Sequence, residues 1–298
     1  MLLRSTFKKF GGSFDCQLLQ IENMTKTVFI TGASSGIGRS TALYFQKQGW
    51  NVAATMRSPD QEINRTNSLA NLDRVICLKL DVTDRLSIAN AVAETIARLG
   101  EIDVLVNNAG YGMLGAFETS TPEQIQRQFD TNVFGLMETT RAVLPHFRDR
   151  KQGVIVNVAS IGGRVAFPLY SLYHATKWAV EGFSESLQHE LLAFNIRVKI
   201  VEPGPIKTDF YERSADSTSN PDFPEYDEFS DRILTKLNKI GTTGALPEVV
   251  AKTIYTASTD KSWKLRYPAD PLAKQLLFMR KLLPDFLFTK IVRQSTNV

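Results

Sequence analysis

The chain has 298 residues, 43% of them hydrophobic, which is enough apolar material for a sizeable core and fits one α/β unit as readily as two domains. The formal net charge of +4 is mild, and no long basic tract is present, so a nucleic-acid partner is not expected. Two cysteines and three histidines are scattered, which argues against a disulfide framework or a metal site. No apolar run is long enough to span a bilayer, and a cytoplasmic location is the default expectation.

Residues 1–23 differ in pattern from the chain that follows. Two leucines near the start are too few for the core of a signal peptide, and the residues after them show no clear periodicity. Met24 stands directly before a convincing first strand. We therefore expect residues 1–23 to be a disordered arm or the product of an upstream start codon. A transit-like peptide is disfavoured because Asp15 and Glu22 are acidic.

The first predicted strand, Thr27–Ile30, leads into a glycine-rich turn. The strand is short and apolar, as in a buried parallel strand. The turn has the spacing Thr-Gly-x-x-x-Gly-x-Gly, and helical spacing follows over 39–48. Such a turn directs backbone N–H groups at a phosphate; a simple tight connection is the disfavoured alternative. The residues predicted to hold a dinucleotide here are Gly32, Ser34, Ser35, Gly36, Ile37 and Gly38.

The second predicted strand, 51–55, bears on the choice of cofactor. A site that prefers NAD would have an acidic residue at the end of this strand, to accept a hydrogen bond from the ribose 2′-OH. Here the strand is followed by Met56 and Arg57. An arginine can bind a 2′-phosphate through two hydrogen bonds. Unless Arg57 is an ordinary exposed loop residue, the pattern favours NADP, with NAD possible.

The third predicted strand, 74–80, ends at an acidic turn. Asp84 or Thr83 could cap the helix that follows, Arg85–Leu99. Asp81 could hydrogen-bond the adenine amino group of a dinucleotide, with Val82 beside it. A fourth strand is predicted over 102–106.

An Asn-Asn-Ala-Gly stretch follows the fourth strand. It marks a sharp backbone turn at the carboxyl end of the strand, which is where ligands bind in open parallel sheets. The residues expected beside the ligand are Asn108, Ala109 and Gly110.

A long helix is predicted after Thr121, with Pro122 in its first turn, and it would run to Arg148. Asn132 and Gly135 lie inside it, although both residue types are poor in a helix interior. We therefore expect a local distortion that brings an amide near the active site; a tolerated surface asparagine is the alternative.

The fifth predicted strand, 154–158, delivers Ser160 to the same edge of the sheet, and the next helix carries Tyr173 and Lys177. Side chains four residues apart lie on one face of a helix. An ammonium beside a phenol stabilises the phenolate and lowers a tyrosine pKa that starts at about 10, so Tyr173 could exchange a proton with a substrate. On the pair alone, coincidence is the better explanation.

The predicted fold is a single α/β domain over 24–268, with a Rossmann-type doubly wound parallel sheet of about seven strands and helices on both faces. The helix with Tyr173 would continue to Phe194, and the sixth strand is predicted over 198–201. Residues 202–208, rich in proline and glycine, break the chain at the same edge. A helix over 247–257 and an edge strand over 264–267 would complete the domain.

Five separated motifs give the chain a resemblance to the short-chain dehydrogenase/reductase family over about residues 25–268. The motifs are the glycine-rich turn, the Asn-Asn-Ala-Gly stretch, Ser160, Tyr173-x-x-x-Lys177 and Pro203-Gly204. Residues 53–57, 111–112 and 265–268 are similar to the branch that contains 17β-hydroxysteroid and retinol dehydrogenases.

The resemblance implies a role for each matching residue. Tyr173 would be the general acid and base, and Lys177 would bind the nicotinamide ribose and depress the Tyr173 pKa. Ser160 would hydrogen-bond the substrate oxygen, and Asn132 would hold a water that links Lys177 to solvent. The remaining cofactor contacts would be made by Pro203, Gly204, Ile206 and Thr208.

Two segments after the motifs are less regular. Residues 209–244 correspond to a flap over the substrate in this family, and their aromatics either line an apolar substrate site or pin the flap to the body. These aromatics are Phe210, Tyr211, Phe223, Tyr226 and Phe229. Residues 269–298 form a basic amphipathic helical tail that would pack on the domain or a subunit interface, with contact at a membrane surface as the weaker alternative.

The sequence thus predicts an NAD(P)-dependent oxidoreductase that acts on a lipophilic ketone, aldehyde or secondary alcohol, as a homodimer or homotetramer. The alternative is a non-catalytic NADP-binding regulator or scaffold on the same fold. The presence of Ser160, Tyr173, Lys177 and Asn132 disfavours the alternative, because a binding module has no need of all four.

Overall fold

The computed structural model describes residues 25–207, 215–218 and 222–296, with only the backbone for 215–217 and 236–242. Three predictions therefore lie outside the described residues. They are the arm 1–23, the cofactor contact Thr208 and the flap aromatics Phe210 and Tyr211.

The strands begin and end within two residues of the bounds predicted for the sheet. In chain order they are β1 (Thr27–Ile30), β2 (Asn51–Met56), β3 (Val75–Lys79), β4 (Val104–Asn107), β5 (Gly112–Leu114), β6 (Gly153–Val158), β7 (Ile196–Glu202), β8 (Ala215–Ser217) and β9 (Arg266–Pro268). β4 begins two residues later than predicted. The reason is that the backbone N–H of Ile102 donates to His146 Nε2 (3.1 Å) instead of joining the sheet.

One parallel sheet contains seven of these strands in the order β3-β2-β1-β4-β6-β7-β9, so the predicted doubly wound sheet is confirmed. The chain moves outward in one direction from β1 to β3 and then starts again on the other side at β4. Val28 of β1 pairs with Val52 on one side and Val104 on the other. The carboxyl ends of β1 and β4 therefore form the switch point, where open α/β sheets bind ligands.

The sheet is apolar on both faces, which is why its strands are continuous hydrophobic runs. Phe29 points into a core with helix residues such as Ile88 and Phe147. Its neighbours Val28 and Ile30 point into a second core on the other face.

Helices cover both faces of the sheet, as predicted. They are Gly36–Lys47, Asp60–Ile63, Arg85–Leu99, Pro122–Phe129, Gly135–Arg150, Ser171–Glu190, Asp227–Thr242, Pro247–Thr259, Pro271–Leu282 and Asp285–Thr296. Asp84, not Thr83, caps Arg85–Leu99: its carboxylate accepts from the N–H groups of Leu86 and Ser87. Gly36–Lys47 begins three residues before the predicted start at Arg39, because the N–H of Arg39 already donates to Ser35 O (3.1 Å).

The predicted long helix is interrupted where the sequence indicated. Residues Asp130–Phe134 form a π-helical turn between Pro122–Phe129 and Gly135–Arg150. A π turn inserts one extra residue into the helix and turns side chains that would otherwise face elsewhere. It directs Asn132 into the interior, where the residue is buried.

Several short elements and one longer helix were not predicted. β5 and β8 form a small parallel sheet of their own, and the segment expected as an irregular flap contains the helix Asp227–Thr242. β5 and β8 have three residues each, and neither stands out as an apolar run in the sequence.

The tail contains two helices, Pro271–Leu282 and Asp285–Thr296. Their buried residues Ala273, Leu277 and Phe288 pack with Ile161 and Val165, which follow Ser160. No helix in the described part of the chain is long and apolar enough to cross a membrane.

Candidate active site

The glycine-rich turn forms a cradle that side chains would fill. Gly32 has φ of +68°, and a Cβ on it would lie 2.9 Å from Ala109 Cα. A Cβ on Gly38 would lie 2.2 Å from the carbonyl oxygen of Gly32. Glycine is therefore required at both positions. The first turn of the helix Gly36–Lys47 directs its free N–H groups into this cradle, which suits a phosphate.

The Asn-Asn-Ala-Gly stretch holds the glycine-rich turn in place. Thr31 Oγ1 accepts from the N–H groups of Asn108 and Ala109, each at 3.0 Å. The Asn108 side-chain amide donates to the carbonyl oxygens of Thr31 (2.9 Å) and Gly32 (3.1 Å). The ends of β1 and β4 are thereby joined at the switch point. Thr31 stood in the motif, but its bracing role was not recognised from the sequence.

A cavity of about 980 Å³ extends from this cradle. All the predicted cofactor contacts that fall on described residues line it: the glycine-rich turn, Arg57, Asp81, Val82, Asn108 to Gly110, Pro203, Gly204 and Ile206. Residues at the end of β2 include no carboxylate, since Thr55 and Met56 are followed by Arg57. The Asp81 carboxylate accepts from the N–H (2.9 Å) and hydroxyl (2.8 Å) of Thr83.

Ser160, Tyr173 and Lys177 line the same cavity. Ser160 follows β6, and its Oγ accepts from the N–H of Gly162 (3.0 Å). Tyr173 lies in the first turn of Ser171–Glu190 and Lys177 one turn later. Lys177 Nζ donates to Val158 O (2.9 Å) and lies 5.8 Å from the centre of the Tyr173 ring. The structure therefore brings three of the four predicted catalytic side chains together.

Burial makes Lys177 a weak base. It lowers the pKa of the ammonium from 10.5 to about 8, and the carboxylate of Glu181 opposes the shift. A lysine of this kind is still largely charged at neutral pH, and a positive charge beside a phenol favours the phenolate. The arrangement can supply a tyrosine that gives up its proton more readily than a free phenol.

A pair of buried carboxyl groups lies behind Lys177. Glu181 is one turn further along the helix and accepts from Arg266 Nε (2.9 Å), while Glu202, at the end of β7, accepts from Arg164 (3.4 Å). Burial, reinforced by the charge of Glu202, raises the pKa of Glu181 to about 7. Burial also raises the pKa of Glu202. Sequence reasoning missed this pair.

Asn132 lies behind the cavity wall rather than on it. Its amide group donates to Tyr111 O (2.9 Å) and to Thr176 Oγ1 (3.2 Å), and its carbonyl oxygen accepts from the N–H of Tyr111 (3.0 Å). Thr176 is the residue before Lys177. Asn132 therefore connects the turn after Gly110 with the helix that carries Tyr173 and Lys177.

His174 was missed by the sequence analysis, although it lines the cavity beside Tyr173. Its Nε2 accepts from the N–H of Phe167 (3.0 Å). Burial lowers the pKa of His174 to about 4, so the ring is neutral at physiological pH. A neutral ring that accepts this hydrogen bond fixes the loop between Ser160 and Tyr173.

Asp270 ties the cofactor side of the cavity to the tail. One carboxylate oxygen accepts from the N–H of Gly204 (2.7 Å), and the other caps Pro271–Leu282 through the N–H of Ala273 (3.0 Å). Gly204 has no room for a side chain, because its Cβ would lie 2.9 Å from the same carboxylate. The Asp-Pro pair is a recognisable cap signal, but its contact with Gly204 could not be read from the sequence.

The part of the cavity beyond Ser160 and Tyr173 is largely apolar and comes from distant segments. The additional lining residues are Tyr111, Ile161, Phe167, Tyr170, Ile233, Leu272, Leu276, Ser295 and Thr296. Four of them belong to the tail helices. The amphipathic pattern of the tail predicted helices but not that they would line the cavity.

Comparison with known proteins gives a consistent result. The family model described as short chain dehydrogenase matches residues 26–218. The 3-ketodihydrosphingosine reductase of Bacteroides thetaiotaomicron is 36% identical over 267 residues, which cover 89% of this chain and 96% of that protein. Retinol dehydrogenase 8 of Bos taurus is 36% identical over 248 residues, which cover 77% of this chain and 76% of that protein.

The fold is also similar to that of solved structures. The structure of ElxO with NADP bound matches with a TM-score of 0.70 and 28% identity, over 85% of this chain and 100% of that one. The cradle of glycines, the carboxyl edge of the sheet and the cavity of this chain fit a nicotinamide dinucleotide.

Proposed function

The chain belongs to the short-chain dehydrogenase family, and we propose that it transfers a hydride between NADP(H) and a lipophilic ketone, aldehyde or secondary alcohol, with Tyr173 as general acid and base. It is a nicotinamide-dependent oxidoreductase of CH–OH and carbonyl groups. The observation that carries the finer proposal is the shared cavity. The cradle of glycines, Ser160, Tyr173 and Lys177 all line it.

The proposed division of labour follows from the hydrogen bonds. When bound, the nicotinamide supplies or accepts the hydride. Ser160 Oγ already accepts from the N–H of Gly162, so its own hydrogen is available for the oxygen of a substrate. The Tyr173 phenol is the second donor and the one that transfers a proton. Lys177, held by Val158 O, favours loss of that proton through its charge.

The preference for NADP rests on Arg57. This exposed side chain lines the cavity where β2 ends, and no carboxylate stands there to repel a 2′-phosphate. Replacing Arg57 with Asp removes a charged hydrogen bond and adds repulsion. We expect the ratio of kcat/KM for NADPH over NADH to fall by about ten- to a hundredfold. Lys79→Asp, an equal charge change at an exposed residue near the end of β3, is the matched control and should leave the ratio unchanged.

A lipophilic substrate is proposed from the apolar part of the cavity. Phe167, Ile233, Leu272 and Leu276 line it, and two relatives carry names of lipid-metabolising enzymes. We also propose that residues 209–244 act as the substrate flap. In the described part of this segment, Ile233 is buried against Leu169 and Ala116.

A panel of carbonyl compounds of increasing chain length, followed by NADPH absorbance, tests the proposal. We expect kcat/KM to rise about three- to fourfold for each added CH₂ until the cavity is filled. The proposal fails if NADPH binds but no member of the panel is reduced and no matching alcohol is oxidised. Two further predictions from the sequence, a cytoplasmic location and a homodimer or homotetramer, stay predictions.

A further inference from the structure

The two tail helices have an outer surface with an unusual composition. Their inner residues are buried with Ile161 and Val165. On the outside, Phe278 and Leu282 are each 62% exposed and Phe286 is 76% exposed. These side chains alternate with basic ones. We call this surface the tail face; it consists of Lys274, Phe278, Lys281, Leu282, Phe286, Leu287, Lys290 and Arg293.

The spacing places apolar and basic residues side by side. On Pro271–Leu282, positions 274, 278 and 281–282 follow one another at helical intervals and share one side. On Asp285–Thr296, positions 286, 290 and 293 do the same. Such a surface combines apolar side chains that avoid water with long basic side chains whose charged ends can reach outward.

The charge of the molecule is concentrated in this tail. Residues 271–298 contain five basic residues and one acidic residue, which gives +4, equal to the net charge of the whole chain. The acidic residue, Asp285, is paired with Arg280. The basic residues of the tail face make no ion pair within the described residues. Residues 1–270 therefore have no net charge, and the tail is distinctly positive.

We propose that the tail face docks on a membrane surface that contains anionic lipid, and that the cavity exchanges its lipophilic substrate with that bilayer. Helices with exposed Phe and Leu beside Lys and Arg lie in the headgroup region, where apolar burial and attraction to anionic lipid add together. The second half of the proposal rests on the proposed function.

The position of the cavity supports exchange of the substrate between the cavity and the bilayer. Leu272 and Leu276 line the cavity from the same helix that exposes Phe278 and Leu282. Ser295 and Thr296 line it from the helix that exposes Phe286. One pair of helices thus carries both part of the cavity wall, apolar at Leu272 and Leu276, and the tail face, so a bound bilayer would lie next to the substrate end of the cavity.

Charge also decides between the bilayer and other occupants. A second copy of the chain would bring two positive surfaces together, which costs free energy through repulsion. Residues 1–24 carry three basic and two acidic residues, so this segment offers no complementary charge either. An anionic lipid surface does.

The test is co-sedimentation of the full chain with phosphatidylcholine vesicles, with and without about a third of phosphatidylserine. We expect clear binding to the anionic vesicles that weakens at high salt, because surface charge is then screened. The paired change Lys281→Glu and Lys290→Glu should weaken the partition coefficient by more than about 25-fold, since each basic residue near an anionic surface contributes roughly fivefold. Phe278→Ser with Leu282→Ser should also weaken it at least about tenfold.

Matched controls change equally exposed residues elsewhere. Lys47→Glu with Lys79→Glu repeats the charge change, and Ile63→Ser with Leu86→Ser repeats the apolar change. Both controls should bind vesicles as the unchanged chain does. Equal loss in the controls, or binding of the Lys281/Lys290 variant at the original level, would overturn the proposal. Absence of vesicle binding by the unchanged chain would also overturn it. If Phe278→Ser with Leu282→Ser then converted a dimer to a monomer, the tail face would be a subunit interface instead.

The two proposals fail separately. None of the four residues changed in the tail face lines the cavity, so reduction of a short water-miscible carbonyl by NADPH should proceed at an unchanged rate in these variants. If that reduction proceeds and vesicles are not bound, only docking is refuted. If no carbonyl is reduced, the proposed function is refuted, and vesicle binding still decides docking.

Discussion

Two buried lysines show how different regions of one sheet use the same side chain. Lys177 lies at the carboxyl edge of the sheet and lines the cavity, and Val158 O is the hydrogen-bond acceptor of its Nζ among the described residues. Lys199 lies in the middle of β7 and does not line the cavity. Its ammonium has three acceptors. They are Ser262 O (2.6 Å), Lys264 O (3.0 Å) and Tyr267 Oη (3.2 Å).

The difference separates a structural lysine from one that can serve a ligand. An ammonium has three N–H donors. At Lys199 all three are used to hold the chain before and within the edge strand β9. At Lys177 one hydrogen bond is made among the described residues, which leaves two N–H groups for a ligand in the cavity that Tyr173 and Ser160 also line. Burial lowers the pKa of both lysines.

The largest expected effect is the loss of activity on Lys177→Met. Without the ammonium, the Tyr173 phenol no longer gives up its proton readily, and we expect kcat/KM at pH 7 to fall by about 10²- to 10⁴-fold. Steady-state rates with NADPH, alongside circular dichroism to verify folding, provide the measurement. Activity within a factor of a few of the original would show that the two lysines do not differ in the way described.

The second-largest expected effect is on the pH dependence of the free energy of unfolding. The folded-state pKa of Lys177 is about 8, below its ordinary value of 10.5, so the unfolded chain binds more protons between these values. This residue therefore destabilises the fold in full below pH 8, and the destabilisation disappears as pH rises to 10.5. From pH 8 to 10.5, the free energy of unfolding of the original chain should therefore rise by about 3 kcal/mol relative to that of Lys177→Met, which lacks the titrating group. Urea unfolding at several pH values measures it; a constant difference contradicts the assignment.

Lys199→Met should lower stability and leave activity nearly unchanged, which is the opposite of what we expect for Lys177→Met. Removing its ammonium leaves the carbonyl groups of Ser262 and Lys264, whose bonds to it are partly buried, without this donor, which we expect to lower the free energy of unfolding by about 1–2 kcal/mol. Since Lys199 does not line the cavity, kcat/KM of the folded protein should change less than about twofold. Urea unfolding and steady-state kinetics on the same preparation test both halves. A large fall in kcat/KM with unchanged stability would contradict the assignment of Lys199 as a structural lysine.

The smallest effect concerns Asp270, which connects the cavity with the tail. Asp270→Ala removes a helix cap and the acceptor for the N–H of Gly204, and we expect a loss of about 1–2 kcal/mol in the free energy of unfolding. The control Asp270→Asn keeps the cap through its one carbonyl oxygen but turns an amide N–H towards the N–H of Gly204, so it should recover only part of the loss. Equal losses for the two variants would mean that the Gly204 contact, rather than the helix cap, carries the stabilisation.

Local patterns in the sequence were enough to predict the sheet and the centre of the site. Buried parallel strands are apolar throughout, and the glycine-rich turn and the Tyr173–Lys177 spacing are short-range signals. The distortion at Asn132 was also predictable, because asparagine and glycine are unfavourable inside a helix. These features depend on residues that are close together along the chain.

The rest depends on contacts between distant segments. Nothing near Lys199 in the sequence indicates that residues 262–267 would meet its ammonium. Likewise, nothing in the sequence around His174 indicates that its ring would be buried and would accept a hydrogen bond from the N–H of Phe167. The tail helices were predicted, but their place on the cavity follows from packing against Ile161 and Val165.

The most direct test of the central claim is Tyr173→Phe, which removes the phenolic hydroxyl and keeps the ring. NADPH binding, followed by fluorescence, should be nearly unchanged, because the glycine-rich turn and Arg57 are intact. Turnover of a carbonyl substrate with saturating NADPH should fall by about 10²- to 10⁴-fold. A variant that binds NADPH and reduces the substrate at the original rate would contradict the assignment of Tyr173 as the proton donor.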